Sequence, residues 1–422
     1  MDSIDALIAH VQGLSSCPED LNALHVHLNQ AEELLLSQVN RLANSLDQLD
    51  PSKHSLGYLY LLEAYTSGPI SREQAGEIVR CIARFIMTCE AEQIRLAPEK
   101  FVSVCKRLKD QVMLLQVPIQ GIAPMRGAVR KLQSSPEHLT PVHPDFLLLC
   151  LLAKCYKAGL SVLEDDIIEV DQPRDFFLYC YYGGMINIGL KNFRKALEYL
   201  HNVVTAPMTS LNAIAIEAYK KYTLVSLIYN GQVPAFPKYT SSVAQRNLKS
   251  YSQAYIDLVA SYATGKISEL ETCFEANVEK YKTDNNVGLV KQVLSSLSKR
   301  NIQRLTQTYL TLSLQDIANS AELENSKQAE MHVLEMIQDG EIFATINQKD
   351  GMVRFHEDSE QYKSCEMIEH IDSSIQRVMT LTKKLNAIDE RISCDPAYLA
   401  KSGRERPRFD LDDFDSVPQK FL

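Results

Sequence analysis

Two stretches of this chain carry one pattern at nearly one spacing. "LLAKCYKAGLSVLEDDIIEVDQP" places Tyr156, Gly159, Leu163 and Pro173. "GMINIGLKNFRKALEYLHNVVTAP" places Gly184, Phe193, Ala196, Leu200, Val203 and Pro207. Phe193 follows Tyr156 by 37 residues, and Pro207 follows Pro173 by 34. An aromatic residue is followed by a small one three positions on, then a large apolar one, then a proline that stops the run. That order reads as a pair of helices, the small residue (Gly159 or Ala196) letting them approach closely. A single pair cannot bury its own apolar face, so such units must stack. A further joint, Asn230-Gly231-Gln232-Val233, arrives about one period later.

The pattern resembles the tetratricopeptide repeat, which implies a right-handed helical solenoid. The rest of the chain up to 298 agrees with a mainly α reading. Residues 1–130 read as short helices broken by polar joints at Asp50-Pro51-Ser52 and Ser67-Gly68-Pro69. One helix opens at Pro18, with Ser16 or Cys17 as its cap, and carries Leu21, Leu24, His25 and Leu28. Between 211 and 298, Ile214, Ile216, Tyr219, Tyr222, Val225 and Leu227 continue the helical spacing, as do 255–262 and 289–297.

Residues 299–356 change character. From Lys299-Arg300, one helix is expected to carry Ile302, Leu305, Tyr309 and Leu310, and a short second one Leu314, Ile317 and Ala318. After a polar turn, Asn325 and Gln328 stand at capping-box spacing ahead of Ala329, Val333, Leu334 and Ile337. A hairpin follows, with strands at 342–346 and 352–355 turned at Lys349-Asp350-Gly351, because Asp-Gly between apolar runs favours a tight turn. Helix, short helix, turn, helix, hairpin is the order of a winged helix-turn-helix. A third short strand can come from the helix-turn-helix itself. Ile342, Ala344 and Ile346 are expected to face inward, Phe343 and Thr345 outward.

A helix over 365–393 comes next. Ile368, Ile371, Ile375 and Val378, then Leu385, Ile388 and Ile392, form a heptad-like stripe with one register break at Leu381/Thr382, suited to a bundle with other helices. The stretch 396–422 mixes charge with isolated aromatics and prolines and reads as disordered. The domain plan is therefore a helical-repeat domain over 1–210, a helical part over 211–298, a winged-helix part over 299–356, the bundle helix and the tail.

Chemistry is hard to place on this chain. A net charge of −9 lacks the basic surplus of a nucleic-acid binder. The helix that would read DNA offers Lys327 against Glu330, Glu335 and Asp339, and its Met331, Val333 and Met336 read as packing residues. The longest apolar run, 146–153, is far short of the roughly 20 residues of a membrane span. The acidic start Met1-Asp2-Ser3-Ile4-Asp5 has no signal-peptide character. Ten cysteines without a C-x-x-C pair suit buried thiols in a reducing compartment. Gly265-Lys266 is followed by Ile267, and Ala260 stands where a phosphate loop needs glycine. Gly183-Gly184 lacks the third glycine of a dinucleotide turn. His25-Val26-His27 has Leu35 and Gln38 where a zinc isopeptidase needs its further Ser and Asp, and residues two apart on a helix face different ways. Asp165-Asp166 and Asp412-Asp413 read as solvated charge. No catalytic, metal-binding or cofactor-binding residue is expected, and no nucleic-acid or membrane partner.

What remains is assembly. A sheet edge presents unpaired N–H and C=O groups that a neighbour's strand can use. The candidate edge residues are Ile342, Phe343, Ala344, Thr345, Ile346, Met352, Val353, Arg354 and Phe355, and a proline at Thr345 is expected to block pairing. The candidate bundle residues are Ile368, Ile371, Ile375, Val378, Leu385, Ile388 and Ile392.

Helical repeats ending in a winged helix resemble the PCI-domain proteins of the proteasome lid, the COP-nine signalosome and a translation initiation factor. The segments "SKHSLGYLYLLEA", "EAYKKYTLVSLIYNGQ", "NNVGLVKQVLSSLSKRNIQRLTQTYLTLSLQDIA" and "MIQDGEIFATINQKDGMVRF" are similar to the subunit-three family of the signalosome, and "RERPRFDLDDFDSVPQKF" to its plant branch. The resemblance implies a scaffold in a complex that removes Nedd8 from cullins of cullin-RING ubiquitin ligases, the metalloprotease centre lying in another subunit. It implies winged helices paired edge to edge with other PCI subunits, C-terminal helices gathered in a bundle, residence in nucleus and cytoplasm, and in plants a role in photomorphogenesis. The alternatives are a PCI scaffold subunit of the proteasome lid, which the same resemblance admits, and a winged-helix transcription regulator.

Overall fold

The computed structural model describes residues 4–13, 18–68, 70–208, 212–357 and 365–402. They form two compact units. One runs to Thr308 and resumes over Ser313–Glu335; the other combines Tyr309–Leu312 with the described residues from Met336 onward. The expected Ser16 or Cys17 cap lies outside the described residues, although the helix does begin at Pro18.

The first unit opens with α1 (Ile4–Gly13), α2 (Pro18–Gln30), α3 (Glu32–Ser37) and α4 (Val39–Leu46), gathered around α5 (Ser55–Thr66). The α5 sequence "SLGYLYLLEAYT" is apolar on nearly every face, and only a helix covered all round tolerates that. Next come α6 (Arg72–Thr88), α7 (Ala91–Ile94), α8 (Pro98–Leu114) and α9 (Ile119–Leu132). Ser71 caps α6, its Oγ accepting the Gln74 N–H at 3.4 Å. Its far end is closed by Lys131, whose Nζ donates to the carbonyls of Ile86 (2.8 Å), Met87 (3.0 Å) and Cys89 (2.7 Å). A cation there also complements the negative end of the helix dipole.

Two two-residue strands, β1 (His138–Leu139) and β2 (Glu169–Val170), pair in parallel; pairings this short leave no alternation in a sequence. Between and after them lie α10 (Val142–Leu152), α11 (Tyr156–Leu163), α12 (Pro173–Gly189) and α13 (Phe193–Thr205). Here the repeat residues interlock as their spacing requires. A Cβ on Gly159 would lie 2.7 Å from Ile186 Cδ1, and one on Gly184 would lie 2.9 Å from Leu200 Cδ2. Ala196 is fully buried. Pro173 opens α12, and Pro207 follows the end of α13.

His143, on α10, is fully buried; its Nδ1 accepts the Thr140 N–H at 3.1 Å. Burial pulls its pKa down from 6.5 to about 4. The folded state therefore prefers neutral His143, while the unfolded chain takes up a proton below the ordinary value. The stability tied to this group is complete above 6.5 and drains away as pH falls toward 4. It amounts to on the order of 3 kcal/mol. Unfolding free energies measured across that range should show the gap between the wild type and His143→Asn shrinking as pH falls. A gap that stays constant would mean His143 takes no part in acid unfolding.

α14 (Ala213–Asn230) is shared by two cores. Ala215, Ala218, Tyr219 and Tyr222 belong to the core of the repeats. Leu224 and Leu227 belong to a second one with Tyr255, Leu258, Tyr262, Leu270, Tyr281, Val290 and Leu297. That second core is built by α16 (Gln253–Ala263), α17 (Ile267–Thr283) and α18 (Val287–Thr306), preceded by α15 (Ser242–Tyr251). A polar set ties α14 to it. Lys220 Nζ donates to Glu217 (2.6 Å) and Asp284 (2.8 Å), the Tyr255 hydroxyl donates to Asp284 (2.8 Å), and Asn286 Nδ2 donates to the Tyr255 oxygen (2.8 Å).

Gly231 ends α14 with φ of +72°, the left-handed conformation that a side chain resists. Gly231→Ala should therefore cost about 1–2 kcal/mol. The Arg300 guanidinium, 2.5 Å from the place of the new Cβ, can swing aside, so the backbone sets the cost. Chemical denaturation would show a lowered midpoint; an unchanged midpoint would mean α14 does not need this turn.

The expected boundary at 298/299 falls inside α18, a single helix of 20 residues. α18 also stops at Thr306, so Tyr309 and Leu310 are not helical: they are exposed and lead into β3 (Thr311–Ser313). The Thr-Leu-Ser run is too short to show as a strand in a helical context. α19 (Leu314–Ser320) follows, capped by Ser313, whose Oγ accepts the Asp316 N–H at 3.0 Å. α20 (Ser326–Gln338) has the anticipated cap, Asn325 Oδ1 accepting the Gln328 N–H at 2.9 Å. It ends on Gly340, at φ +70°, with the Glu341 N–H bonded to the Met336 carbonyl at 2.8 Å.

The second unit holds a three-stranded sheet in the order β3-β5-β4, with β4 (Phe343–Asn347) and β5 (Met352–His356) antiparallel. Gly351, at φ +62°, makes the turn between them. α21 (Cys365–Ser393) has the expected extent, and α22 (Pro396–Ser402) follows. The expectation of a disordered tail over 396–422 is thus corrected for 396–402, where Pro396 opens a helix and Asp395 Oδ1 accepts the Ala397 N–H at 2.8 Å. The remainder of that stretch lies outside the described residues.

Candidate interaction surfaces

The residues weighed for chemistry are dispersed. His25 pairs with Asn29 at 3.2 Å, while His27 sets its ring edge-on to His10 at 5.5 Å. Leu35 is buried. Among the described residues no three His, Cys, Asp or Glu side chains converge to hold a metal ion. Gly183 and Gly184 lie where α12 meets Leu163, Tyr199 and Leu200, which is a packing role. The Gly265 carbonyl accepts from Asn301 Nδ2 at 2.9 Å, and Lys266 pairs with Glu269 at 2.8 Å. Asp165 and Asp166 are exposed; Asp412-Asp413 lies outside the described residues. Burial pushes the Cys150 and Cys180 thiols up to about 12, away from the thiolate form a nucleophile needs. No described helix is long and apolar enough to cross a membrane.

In α20, Val333 and Met336 are buried, but Met331 is 51 % exposed and Leu334 is 48 % exposed. The reading of Met331 as a packing residue is corrected: it falls on the outer side of the helix.

The sheet narrows the expected edge. β5 lies between β3 and β4, so Met352, Val353, Arg354 and Phe355 do not form an edge. The Phe355 N–H is taken by the Leu310 carbonyl at 2.9 Å, on the β3 side. Ile342 is also excluded. It is buried, it precedes β4, and its N–H reaches the Met336 carbonyl at 3.3 Å. β4 is one edge of the sheet, to which only β5 pairs among the described residues; the three-residue β3 is the other edge.

The register tells which groups of β4 point outward. Opposed residues of an antiparallel pair alternately exchange both backbone bonds and none. Phe355 stands opposite Ala344 and spends its N–H on Leu310, so Ala344 and Phe355 exchange none. The pairs that do are Phe343 with His356, Thr345 with Arg354, and Asn347 with Met352. Ala344 and Ile346 therefore turn their N–H and C=O groups to the outer side. Thr345 turns its own inward, and its Oγ1 lies 2.6 Å from His356 Nε2. A proline at Thr345 would break the hairpin itself. The outward side chains are those anticipated, Phe343 and Thr345 being exposed while Ala344 and Ile346 are half-buried.

α21 is the second surface. At 1.5 Å per residue its 29 residues reach about 43 Å. Ile368, Ile371, Ile375, Val378, Leu385 and Ile392 are between 42 % and 65 % exposed, and Ile388 is half-buried. Aliphatic residues in a stripe with a single register break, facing water, signal a surface awaiting a partner.

Stacked helix pairs, a winged-helix element order and a small three-stranded sheet define a helical-repeat PCI protein. Residues 18–244 match the family model described as COP9 signalosome complex subunit 3, N-terminal helical repeats, and residues 270–357 match the PCI domain. The chain is similar to the COP9 signalosome complex subunit 3 of Arabidopsis thaliana, 61 % identical over 423 residues that cover 100 % of this chain and 99 % of the relative. It is also similar to that of Dictyostelium discoideum, 40 % identical over 383 residues, covering 89 % and 91 %. The chain belongs to the family of COP9 signalosome complex subunit 3. Membership of a subunit family carries with it complex formation with other signalosome subunits.

Proposed function

We propose that this chain is a non-catalytic scaffold of the signalosome, the assembly that removes Nedd8 from cullin subunits of cullin-RING ubiquitin ligases. It holds its neighbours at two places, the outer edge of β4 and the apolar stripe of α21. The observation that carries the reading is the stripe: six large aliphatic residues on one helix of about 43 Å, exposed in their own chain. A partner helix laid along it would bury an area of the order that specific interfaces need, on the order of 1,600 Å². The neighbours are PCI-domain and metalloprotease-type subunits, and cullin-RING ligases are met through the whole complex. The chain works in nucleus and cytoplasm, which a fluorescently tagged chain would report.

Native mass spectrometry of material purified through this chain should give a complex of signalosome subunits. Proteasome-lid subunits in their place would replace the reading by its rival. The isolated chain, incubated with neddylated cullin, should leave the conjugate intact; cleavage would end the non-catalytic assignment.

A further inference from the structure

We propose that the groove between the end of α13 and the start of α15 binds an acidic peptide segment of another protein. An apolar side chain of that peptide sits in the groove, and a carboxylate sits at the N-terminus of α15. The groove is a cavity of about 530 Å³ walled by Phe176, Ala206, Pro207, Met208, Tyr239 and Ala244. These walls are apolar, sized for an aromatic or aliphatic side chain.

Two groups in it ask for a polar ligand. Thr240 lines the cavity and is 6 % exposed, yet its hydroxyl has no hydrogen-bond partner. Its backbone is already committed, N–H to the Pro237 carbonyl and C=O to Gln245 Nε2, both at 3.0 Å. A buried hydroxyl without a partner costs free energy that a ligand can return. Ser241 stands at the N-cap position just ahead of α15 but its side chain caps nothing, so the first-turn N–H groups are left for an incoming anion.

The surrounding charge selects the partner. In a chain of net charge −9, residues 218–256 contain no Asp or Glu. Lys238, Arg246 and Lys249 are exposed there, and none of them joins an ion pair among the described residues. Phe236 stacks on Tyr219 at 5.5 Å and carries Lys249 Nζ 5.8 Å above its ring, which fixes the loop that makes one wall. Tyr239 is 72 % exposed and Val243 63 %, an apolar rim beside the cations. A positive concave patch on a negative molecule draws acidic partners and repels the protein's own kind.

Fluorescence anisotropy on the full chain tests this with a labelled peptide of Asp and Glu around a single Phe, against its Asn and Gln analogue. The acidic peptide should bind about tenfold more tightly at low salt, and the advantage should shrink at high salt. Lys238→Glu with Arg246→Glu, both exposed, should remove that advantage with the melting temperature unchanged. Thr240→Val should weaken binding severalfold without lowering stability, a combination a purely structural threonine would not give. Equal affinity for the neutral peptide, tighter binding of a single-stranded oligonucleotide, or full binding by the Thr240→Val chain would each overturn the proposal.

Discussion

Replacing Ile375 and Leu385 together by aspartate should nearly abolish recovery of the intact complex while the isolated chain folds as before. Both residues face water in their own chain, at 50 % and 65 % exposure, so the substitutions remove no internal packing. Surface changes of this kind alter stability by about 0.5 kcal/mol or less. In a bundle the same positions are buried, and a carboxylate there loses its water without gaining a counter-charge. At even 2 kcal/mol for each site, association weakens by roughly a thousandfold. The readouts are co-purification of the other subunits and the melting curve of the isolated chain. Unchanged recovery would remove α21 from the interface. A collapsed melting curve would show that the stripe packs within the chain.

Ala344→Pro and Thr345→Pro should part company, although the residues are neighbours. Ala344 turns its N–H outward from β4, so proline there removes a donor that no described strand of this chain uses. The chain should fold, and binding should drop by about five- to tenfold, the worth of a backbone hydrogen bond of roughly 1 kcal/mol. Thr345 faces Arg354 across the hairpin, so proline there strikes the sheet directly and should lower stability as well as binding. Circular dichroism melts alongside co-purification separate the two. Full recovery of the complex with Ala344→Pro would mean that neighbours do not pair with this edge.

Helix positions over most of the chain were legible because apolar periodicity, proline and glycine punctuation and capping residues act over a few residues. Asn325 with Gln328, Gly231, Gly351 and the full extent of α21 all follow from such local rules. Locally invisible features were missed. β3 is three residues long and follows a helix of 20, so Tyr309 and Leu310 looked like its next turn. Met331 has the residue type of a core position but the helical phase of a surface one. The span 218–256 is basic and acid-free, a feature not singled out from the sequence alone, because nothing in its residues shows that Thr240 and the start of α15 close on Phe176 and Pro207.

By itself the sequence determined that this is a chain of helices with small residues where they cross, one late hairpin and a long apolar-striped helix, because those choices are made by neighbours along the backbone. Only the tertiary structure decided that β5 is enclosed, that β4 is left at an edge, and that Ala344 and Ile346 rather than Thr345 present its outward groups. Those facts depend on where Leu310, more than 40 residues from Phe355, places its carbonyl. A hydrogen bond across that distance leaves no periodic trace, since neither residue's type is constrained by the bond its backbone makes.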